Sequence, residues 1–220
     1  VAHAMGRAAA AAGVPIVTGD TKVVGKGSAD GLFINTAGVG VVPAGLRIGP
    51  EQARPGDHII VSGNIGEHGV AIMSVREGID FGTTMTTDSA PLHRLVAAML
   101  AAVDDPNEIH ALRDPTRGGL VAATVEIARS SGVGVELDEA KVPVPEAVAS
   151  ACGFLGLDPL QVANEGKLVA FVDPAHSEAV LAAMRARPEG AASVIIGRAV
   201  AEHPGMVVAK TPFGTTRVVE

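Results

Sequence analysis

Aromatic residues are scarce in this 220-residue sequence, which contains no Trp, no Tyr and only five Phe. Positive charge is also scarce, since 17 basic residues stand against 24 acidic residues and the net charge is −7. Duplex binding needs clustered positive charge, and single-strand binding relies on aromatic rings on which bases stack. We therefore expect no nucleic-acid partner.

Cysteine is nearly absent as well, because Cys152 is the only one in the chain. A single cysteine can form neither an internal disulfide nor a thiolate cage for a metal ion. The residues before it, Val-Ala-Ser-Ala, are typical of the end of a helix. We expect a buried and unreactive thiol at this position.

Long hydrophobic runs are missing, since no uninterrupted apolar segment approaches the roughly 20 residues that cross a bilayer. The start of the chain, Val1–Arg7, also lacks the layout of a secretory signal. We expect no membrane association and a cytoplasmic location. The apolar content, 47%, is enough for a substantial core in one large or two small domains.

Four polar segments that contain glycine stand out in this apolar sequence, and the first is Gly19–Val24. It follows an apolar run and places three chemically different side chains in a row. Asp20 can hold Mg²⁺, Thr21 can donate to a phosphate oxygen, and Lys22 supplies the compact positive charge that phosphates attract. The segment indicates a metal–triphosphate site, although an ordinary polar turn has the same composition.

The second segment, Asp114–Gly119, stands directly before a predicted helix. Gly118 and Gly119 can let a ligand approach the backbone, and the exposed amides of a helix start attract anions such as phosphate. The alternative is a simple helix cap, in which Thr116 closes the first turn and Arg117 is solvated.

The remaining two segments are Asn64–Gly69 and Ala163–Lys167. We interpret the first as structural, because His68 has no second His or Cys at metal-ligand spacing. In the second, Glu165 and Lys167 flank a glycine just before an apolar strand. They are either site residues or an ion pair at the strand entrance.

The hydrophobic pattern predicts helices and strands that alternate irregularly. A helix over Ala2–Ala12 ends at Gly13, and two β-rich segments follow at Val14–Thr18 and Gly31–Val42. Turn residues mark a domain crossing near position 50. Beyond it we predict strands at His58–Ser62, Val133–Leu137, Leu168–Val172, Ser193–Ile196 and Met206–Ala209. We predict helices at Glu67–Arg76, after a cap at Asp88 or Ser89, from Gly118 or Gly119, at Pro145–Cys152 and from Pro174 to Ala186. This order favours an α+β fold with a mixed sheet over a doubly wound fold.

Together the four glycine-containing segments resemble the HypE family of hydrogenase maturation proteins, in the AIR-synthetase-like (PurM-like) superfamily of ATP-using proteins. The resemblance runs along nearly the whole chain. It implies a PurM-like fold, with residues 1–49 as the C-terminal part of the N-terminal, ATP-binding domain and residues 50–220 as a complete C-terminal domain. Because the chain opens with Val inside a helix and ends without the family's Pro-Arg-Ile-Cys tail, we expect a fragment with a partial first domain.

The resemblance also implies a reaction, the ATP-dependent dehydration of a carbamoyl group held as a thiocarboxamide on a C-terminal cysteine. The product is a thiocyanate, which supplies the cyanide ligands of nickel–iron hydrogenase. Asp20 is then a Mg²⁺ ligand, Lys22 binds phosphate or stabilises developing charge, and Glu165 accepts a proton. The residues implied to hold ATP are Thr21, Asp114, Thr116, Arg117, Gly118 and Gly119.

The implied partners are the carbamoyl donor protein HypF and the HypC–HypD scaffold, and the full-length protein is expected to be a homodimer. We expect the 220-residue chain by itself neither to dehydrate nor to bind ATP tightly. Two alternatives stay open. One is another ATP-using relative, such as thiamine-phosphate kinase, selenophosphate synthetase or AIR synthetase. The other is a non-catalytic module that docks maturation partners.

Overall fold

The computed structural model describes residues 1–29, 31–81 and 84–219, in two compact units, Val1–Leu46 and Arg47–Glu220. The described α-helices are α1 (Ala2–Ala12), α2 (Glu67–Glu77), α3 (His93–Leu100), α4 (Gly119–Ser131), α5 (Glu146–Leu155) and α6 (Ser177–Arg185). The described strands are β1 (His58–Val61), β2 (Ile109–Arg113), β3 (Gly134–Asp138), β4 (Val169–Val172), β5 (Val194–Val200), β6 (Val207–Lys210) and β7 (Thr216–Val219).

The first unit contains one regular element among its described residues, the helix α1. Its bounds are those predicted from the alanine-rich sequence, and Gly13 is its C-cap. None of its residues is buried. The helix prediction is therefore confirmed. It could be made from the sequence because alanine has a high helix propensity.

The two β-rich segments predicted in the first unit are wrong. Val14–Thr18 and Gly31–Val42 form no strand in the described part of the chain, and their large side chains are exposed. A strand exists only when a neighbouring strand accepts and donates its backbone hydrogen bonds. β-Branched residues make a segment suitable for a sheet, but they do not supply the partner.

The second unit is built on one seven-stranded sheet in the order β2-β4-β1-β5-β3-β6-β7. The pair β3–β6 is parallel, and the other described pairs are antiparallel. Because the helices pack on this sheet without regular βαβ units, the predicted α+β fold with a mixed sheet is confirmed.

The centre of the sheet is buried on both faces, and alternate residues of a strand serve different faces. Ile59 and Val61 of β1 belong to the cluster that includes α4, whereas Ile60 belongs to the cluster that includes α3 and α6. A third cluster joins α2 to α5 and contains Cys152. The thiol is fully buried and burial raises its pKa, so the predicted unreactive cysteine is confirmed as buried.

Two predicted helix starts are wrong. The helix assigned to a cap at Asp88 or Ser89 begins at His93 instead, and the Asp88 carboxylate accepts a hydrogen bond from the main chain of Glu165. The last helix begins at Ser177, because Asp173 caps the amide of Ala175 in a separate turn before it. Both aspartates satisfy backbone amides, but neither amide belongs to the helix that the sequence pattern predicted.

The strand β2 is absent from the sequence predictions, and its buried polar residue explains why. His110 interrupts the apolar pattern and is 2% exposed. Its Nδ1 lies 2.8 Å from Oδ2 of Asp57, which is 1% exposed and also accepts from the Arg54 amide. Burial raises the pKa of the Asp57 carboxyl, and the hydrogen bonds from the Arg54 amide and His110 oppose that rise.

Removing the Asp57 carboxylate is expected to destabilise the second unit. His110 Nε2 already lacks a partner among the described residues, so Asp57→Ala leaves the whole buried ring unpaired. We expect a loss of about 3 kcal/mol in the free energy of unfolding, measured by denaturant titration. The control is Asp105→Ala, an exposed aspartate that accepts from the Asn107 amide, for which we expect a loss of about 1 kcal/mol. Equal effects of the two substitutions would contradict this account.

No described helix combines the length and the apolar character needed to span a membrane.

Candidate functional site

Three of the four glycine-containing segments meet at the side chain of Asn164, which is 0% exposed. Its Oδ1 accepts a hydrogen bond from the Gly66 amide at 2.7 Å. Its Nδ2 donates to the carbonyl oxygens of Pro115 and Val162, each at 3.0 Å. The main-chain amide of Asn164 also donates to the Pro115 carbonyl oxygen, at 3.1 Å. One buried carboxamide therefore uses both of its hydrogens and an oxygen lone pair to join segments far apart in sequence.

Close backbone packing accompanies these hydrogen bonds. The Gly69 amide donates to the Ala163 carbonyl at 3.0 Å, and a Cβ on Gly69 would lie 2.4 Å from Val162 Cγ1. No larger residue fits there without displacing the segment that carries Asn164. This supports the interpretation of Asn64–Gly69 as structural.

Gly119 was singled out because it could let a ligand approach the backbone, and the structure corrects this reason. It adopts φ +63°, and a Cβ there would lie 2.6 Å from the Leu160 carbonyl oxygen. Its amide donates to the Thr116 carbonyl at 2.9 Å. The space at its α-carbon is thus filled by protein and not by a ligand. Gly119 shapes the turn before α4, and its assignment to nucleotide binding stays a prediction.

The charged residues around the turn before α4 differ in whether they form ion pairs within the protein. Asp114 is exposed and pairs with Arg113, which also donates to Glu126 at 2.9 Å. The hydrogen bond to Glu126 raises the pKa of the Arg113 guanidinium. Arg117 is exposed and forms no ion pair with the described residues, and Thr116 is half-buried beside it. Arg117 is therefore the cation of this segment that is available to an anion.

Glu165 occupies the most exposed position of its turn. Its amide donates to Oδ1 of Asp88 at 3.0 Å, while its carboxylate forms no ion pair in the part of the chain that the structure describes. Lys167 Nζ lies 4.0 Å from Oδ2 of Asp88. The ion pair at the strand entrance is therefore formed by Lys167 with Asp88, and not with Glu165 as one of the two sequence-based interpretations had it. The Glu165 carboxylate is consequently free to contact a ligand.

His68 takes part in a hydrogen bond that holds the neighbouring loop. Its Nδ1 lies 2.8 Å from the hydroxyl of Thr87, one residue before Asp88. Among the described residues, the group with metal-ligand geometry lies elsewhere and consists of Glu108, Asp173 and His176. The Asp173 amide donates to the Glu108 carbonyl at 2.9 Å, so these residues also join the end of β4 to the start of β2.

In the first unit, Asp20, Thr21 and Lys22 lie in an exposed segment without regular structure. The Thr21 amide donates to Asp20 Oδ1 at 2.7 Å, and Lys22 forms no ion pair with the described residues. An exposed carboxylate fits Mg²⁺, which prefers oxygen ligands and keeps several waters when few protein ligands are offered. Asp20 is therefore the residue of this segment that could hold a hydrated magnesium ion.

Sequence reasoning did not identify Asn164 and Asp88 as organising residues. Asn164 stands inside a segment that was singled out, but attention fell on the charged residues that follow it. Asp88 carries the signal of a helix cap because an apolar helical stripe follows it. Their true partners lie 98 and 77 positions away in the chain, a separation at which local patterns carry no information.

Comparison with known proteins places these observations in a family. The model of the AIR synthase related protein C-terminal domain family matches residues 54–210. This range contains β1 to β6 and the three segments that meet at Asn164.

Relatives named carbamoyl dehydratase HypE match along the whole chain. Carbamoyl dehydratase HypE of Azotobacter vinelandii is 56% identical over 220 residues, which are 100% of this chain and 64% of that protein. A crystal structure of a HypE–HypF complex matches with a TM-score of 0.94 and 44% identity, covering 100% of this chain and 70% of that one. A crystal structure of HypE in complex with ATP matches with a TM-score of 0.92 and 44% identity, covering 98% of this chain and 65% of that one. The chain therefore belongs to the HypE family of hydrogenase maturation proteins, within the AIR synthase related proteins.

Proposed function

We propose that the whole protein that carries this chain is an ATP-dependent carbamoyl dehydratase of nickel–iron hydrogenase maturation. Its substrate is a thiocarboxamide on a C-terminal cysteine, and its product is the thiocyanate from which the cyanide ligands derive. The observation that carries the proposal is the junction at Asn164, which fixes three glycine-containing segments together while the Glu165 carboxylate stays exposed and unpaired among the described residues. The name and the ATP complex of the similar proteins support it.

The chemical requirement of dehydration explains the residue types. The oxygen of an amide is a poor leaving group, and ATP supplies the phosphoryl group that makes it a good one. The nitrogen then has to lose its protons as the carbon–oxygen bond breaks, which requires a base within hydrogen-bonding reach. Glu165 is the proposed proton acceptor, because its main chain is anchored and its carboxylate is not engaged.

We propose that cationic and hydroxyl residues in each of the two units stabilise negative charge. Lys22, exposed and unpaired among the described residues, binds phosphate and stabilises the charge that develops on the transferred group. Thr21 donates to a phosphate oxygen, and Thr116 and Arg117 hold the nucleotide from the turn before α4. Asp20 holds Mg²⁺, which neutralises phosphate charge when bound.

We propose an indirect role for Asp114, Gly118 and Gly119. The carboxylate of Asp114 pairs with Arg113, and Gly119 packs against the Leu160 carbonyl. These residues set the course of the backbone that presents Thr116 and Arg117. We propose that their contribution to nucleotide binding is through this shape.

The proposed partners follow from the same family. A carbamoyl donor of the HypF type delivers the group, and the HypE–HypF complex of a similar protein supports that choice. We further propose that a HypC–HypD scaffold receives the cyanide group and that the whole protein is a homodimer.

Replacing Lys22 tests this function directly. In the whole protein, Lys22→Met is expected to lower the rate of thiocarboxamide-dependent phosphate release about a hundredfold, because a positive charge that stabilises the transition state is lost. The measurement is a coupled assay of phosphate release. The control is Lys26→Met, at an exposed lysine of the first unit that lies just outside Gly19–Val24, which should retain the wild-type rate. Equal rates for wild type and Lys22→Met would remove Lys22 from the mechanism, and the absence of release by wild-type protein would refute the function.

A further inference from the structure

The connection between α2 and α3 is held at two neighbouring residues, at Thr87 by α2 and at Asp88 by the Glu165 turn. Thr87 shares a hydrogen bond with His68, and Asp88 accepts from the Glu165 amide. Where it is described, this connection has no helix or strand of its own between Gly78 and Leu92. These two contacts help to fix its path, together with the packing of Phe81 and Met85 on the cluster that joins α2 to α5.

Asp88 is the stronger of the two attachments, because its carboxylate is buried and faces both ends of the turn. The side chain is 0% exposed. Its Oδ1 lies 3.0 Å from the Glu165 amide, and its Oδ2 lies 4.0 Å from the Lys167 ammonium. Oδ2 forms no hydrogen bond with the described residues, so the ammonium is its nearest compensating charge. A buried carboxylate without that compensation would be costly.

Gly166, between the two contacted residues, lets the turn approach the main chain of Asp88 closely, where a side chain would not fit. A Cβ built on Gly166 would lie 1.8 Å from the Asp88 carbonyl oxygen and 2.7 Å from the Ala90 amide nitrogen. The main chain at position 166 is thus in direct contact with the main chain of the connection. The side chain and backbone of Asp88 therefore hold residue 165 on one side, while the hydrogen bonds of Asn164 anchor the residue before it.

This matters because the Glu165 side chain has no other support. It is exposed and forms no ion pair or side-chain hydrogen bond with the described residues, so the direction of its Cα–Cβ bond is set by the main chain alone. Proton transfer is efficient only when donor and acceptor are held within narrow limits of distance and angle. We propose that Asp88 is a positioning residue, which fixes the Glu165 carboxylate for proton abstraction by holding its amide. The proposal rests on the proposed dehydration.

The test compares Asp88→Ala and Asp88→Asn in the whole protein. Alanine removes both contacts, whereas asparagine keeps an oxygen that can accept from the Glu165 amide and loses only the charge that faces Lys167. The control is Asp138→Ala, since Asp138 accepts from the Ala140 amide at 3.2 Å and lies 3.5 Å from Lys141 Nζ, away from the turn. The readouts are kcat, KM for ATP, and hydrogen exchange of the Glu165 amide.

We expect Asp88→Ala to accelerate exchange of the Glu165 amide at least about tenfold and to lower kcat by a similar factor, as expected for the loss of a hydrogen bond to a charged acceptor. KM for ATP should stay within about twofold, and Asp88→Asn should restore most of both losses. Asp138→Ala should leave all three quantities unchanged.

Three results would overturn the proposal. These are unchanged exchange at Glu165 in the alanine variant, faster exchange with unchanged kcat, and an asparagine variant as impaired as the alanine variant. Hydrogen exchange is measured without substrate, so it reports on the positioning contact even if wild-type protein fails to dehydrate. Failure of the wild-type reaction would instead refute the proposed function.

Discussion

Glu165→Gln is expected to abolish dehydration while the whole protein still binds ATP. Glutamine has nearly the same shape but cannot accept the proton, and loss of a general base typically costs about a thousandfold in rate. The contact to Asp88 uses the main-chain amide of residue 165 and is therefore retained. Because the side chain is exposed, stability should change by less than about 0.5 kcal/mol. Single-turnover conversion of the thiocarboxamide measures the effect.

Glu178→Gln is the matched control for this substitution, since Glu178 is also an exposed glutamate of the second unit, on α6. It should convert substrate at the wild-type rate. If Glu165→Gln does the same, Glu165 is not the proton acceptor. If it loses ATP binding in parallel with turnover, the side chain holds the nucleotide and has a different role from the one proposed.

Substitution of Asn164 is expected to have a large effect on stability. Asn164→Ala leaves the buried Gly66 amide without its acceptor and takes a donor from the carbonyls of Pro115 and Val162. With each buried orphaned group costing on the order of 1 to 3 kcal/mol, we expect a loss of about 3 kcal/mol in the free energy of unfolding. Denaturant titration measures it, with Asn64→Ala, a half-buried asparagine in the same region, as a control expected to lose about 1 kcal/mol or less.

Asn164→Asp separates hydrogen bonding from the filling of space. The aspartate keeps an acceptor for the Gly66 amide but places a carboxylate oxygen against two carbonyl oxygens. Burial and this repulsion disfavour the charged form, so the folded-state pKa of the new carboxyl is expected to be raised above its unfolded value. A raised carboxyl pKa reduces stability at high pH, and the deficit relative to wild type should shrink as pH falls through the folded pKa. A pH-independent deficit would show that the donor groups of Asn164 are not what holds the junction.

Elements with strong apolar patterns could be predicted from the sequence, and the reason is local. The helix α4 follows from the inward spacing of Leu120, Ala123 and Ile127, and β1 and β4 follow from short apolar runs bounded by turns. The same kind of pattern was misleading at Val14–Thr18, because β propensity does not tell whether a partner strand is present.

The polar part of the candidate site could be predicted only in its composition. The segments at Gly19, Asn64, Asp114 and Ala163 stand out because acids, bases and glycines cluster within a few residues. The convergence of the last three segments on Asn164 could not be predicted, because a buried amide forms hydrogen bonds with groups that are close in space and not in sequence. Gly119 shows the same limit, because a glycine beside a ligand and a glycine beside a carbonyl oxygen look alike in sequence.

We propose that the whole protein converts a cysteine-bound thiocarboxamide to a thiocyanate with ATP. The most direct measurement is intact-protein mass spectrometry of full-length protein carbamoylated on its terminal cysteine, before and after addition of Mg–ATP. We expect the modified protein to lose the mass of one water, with one phosphate released from ATP for each thiocyanate formed. A carbamoylated protein that keeps its mass, or returns to the free thiol, while ATP is consumed would contradict it.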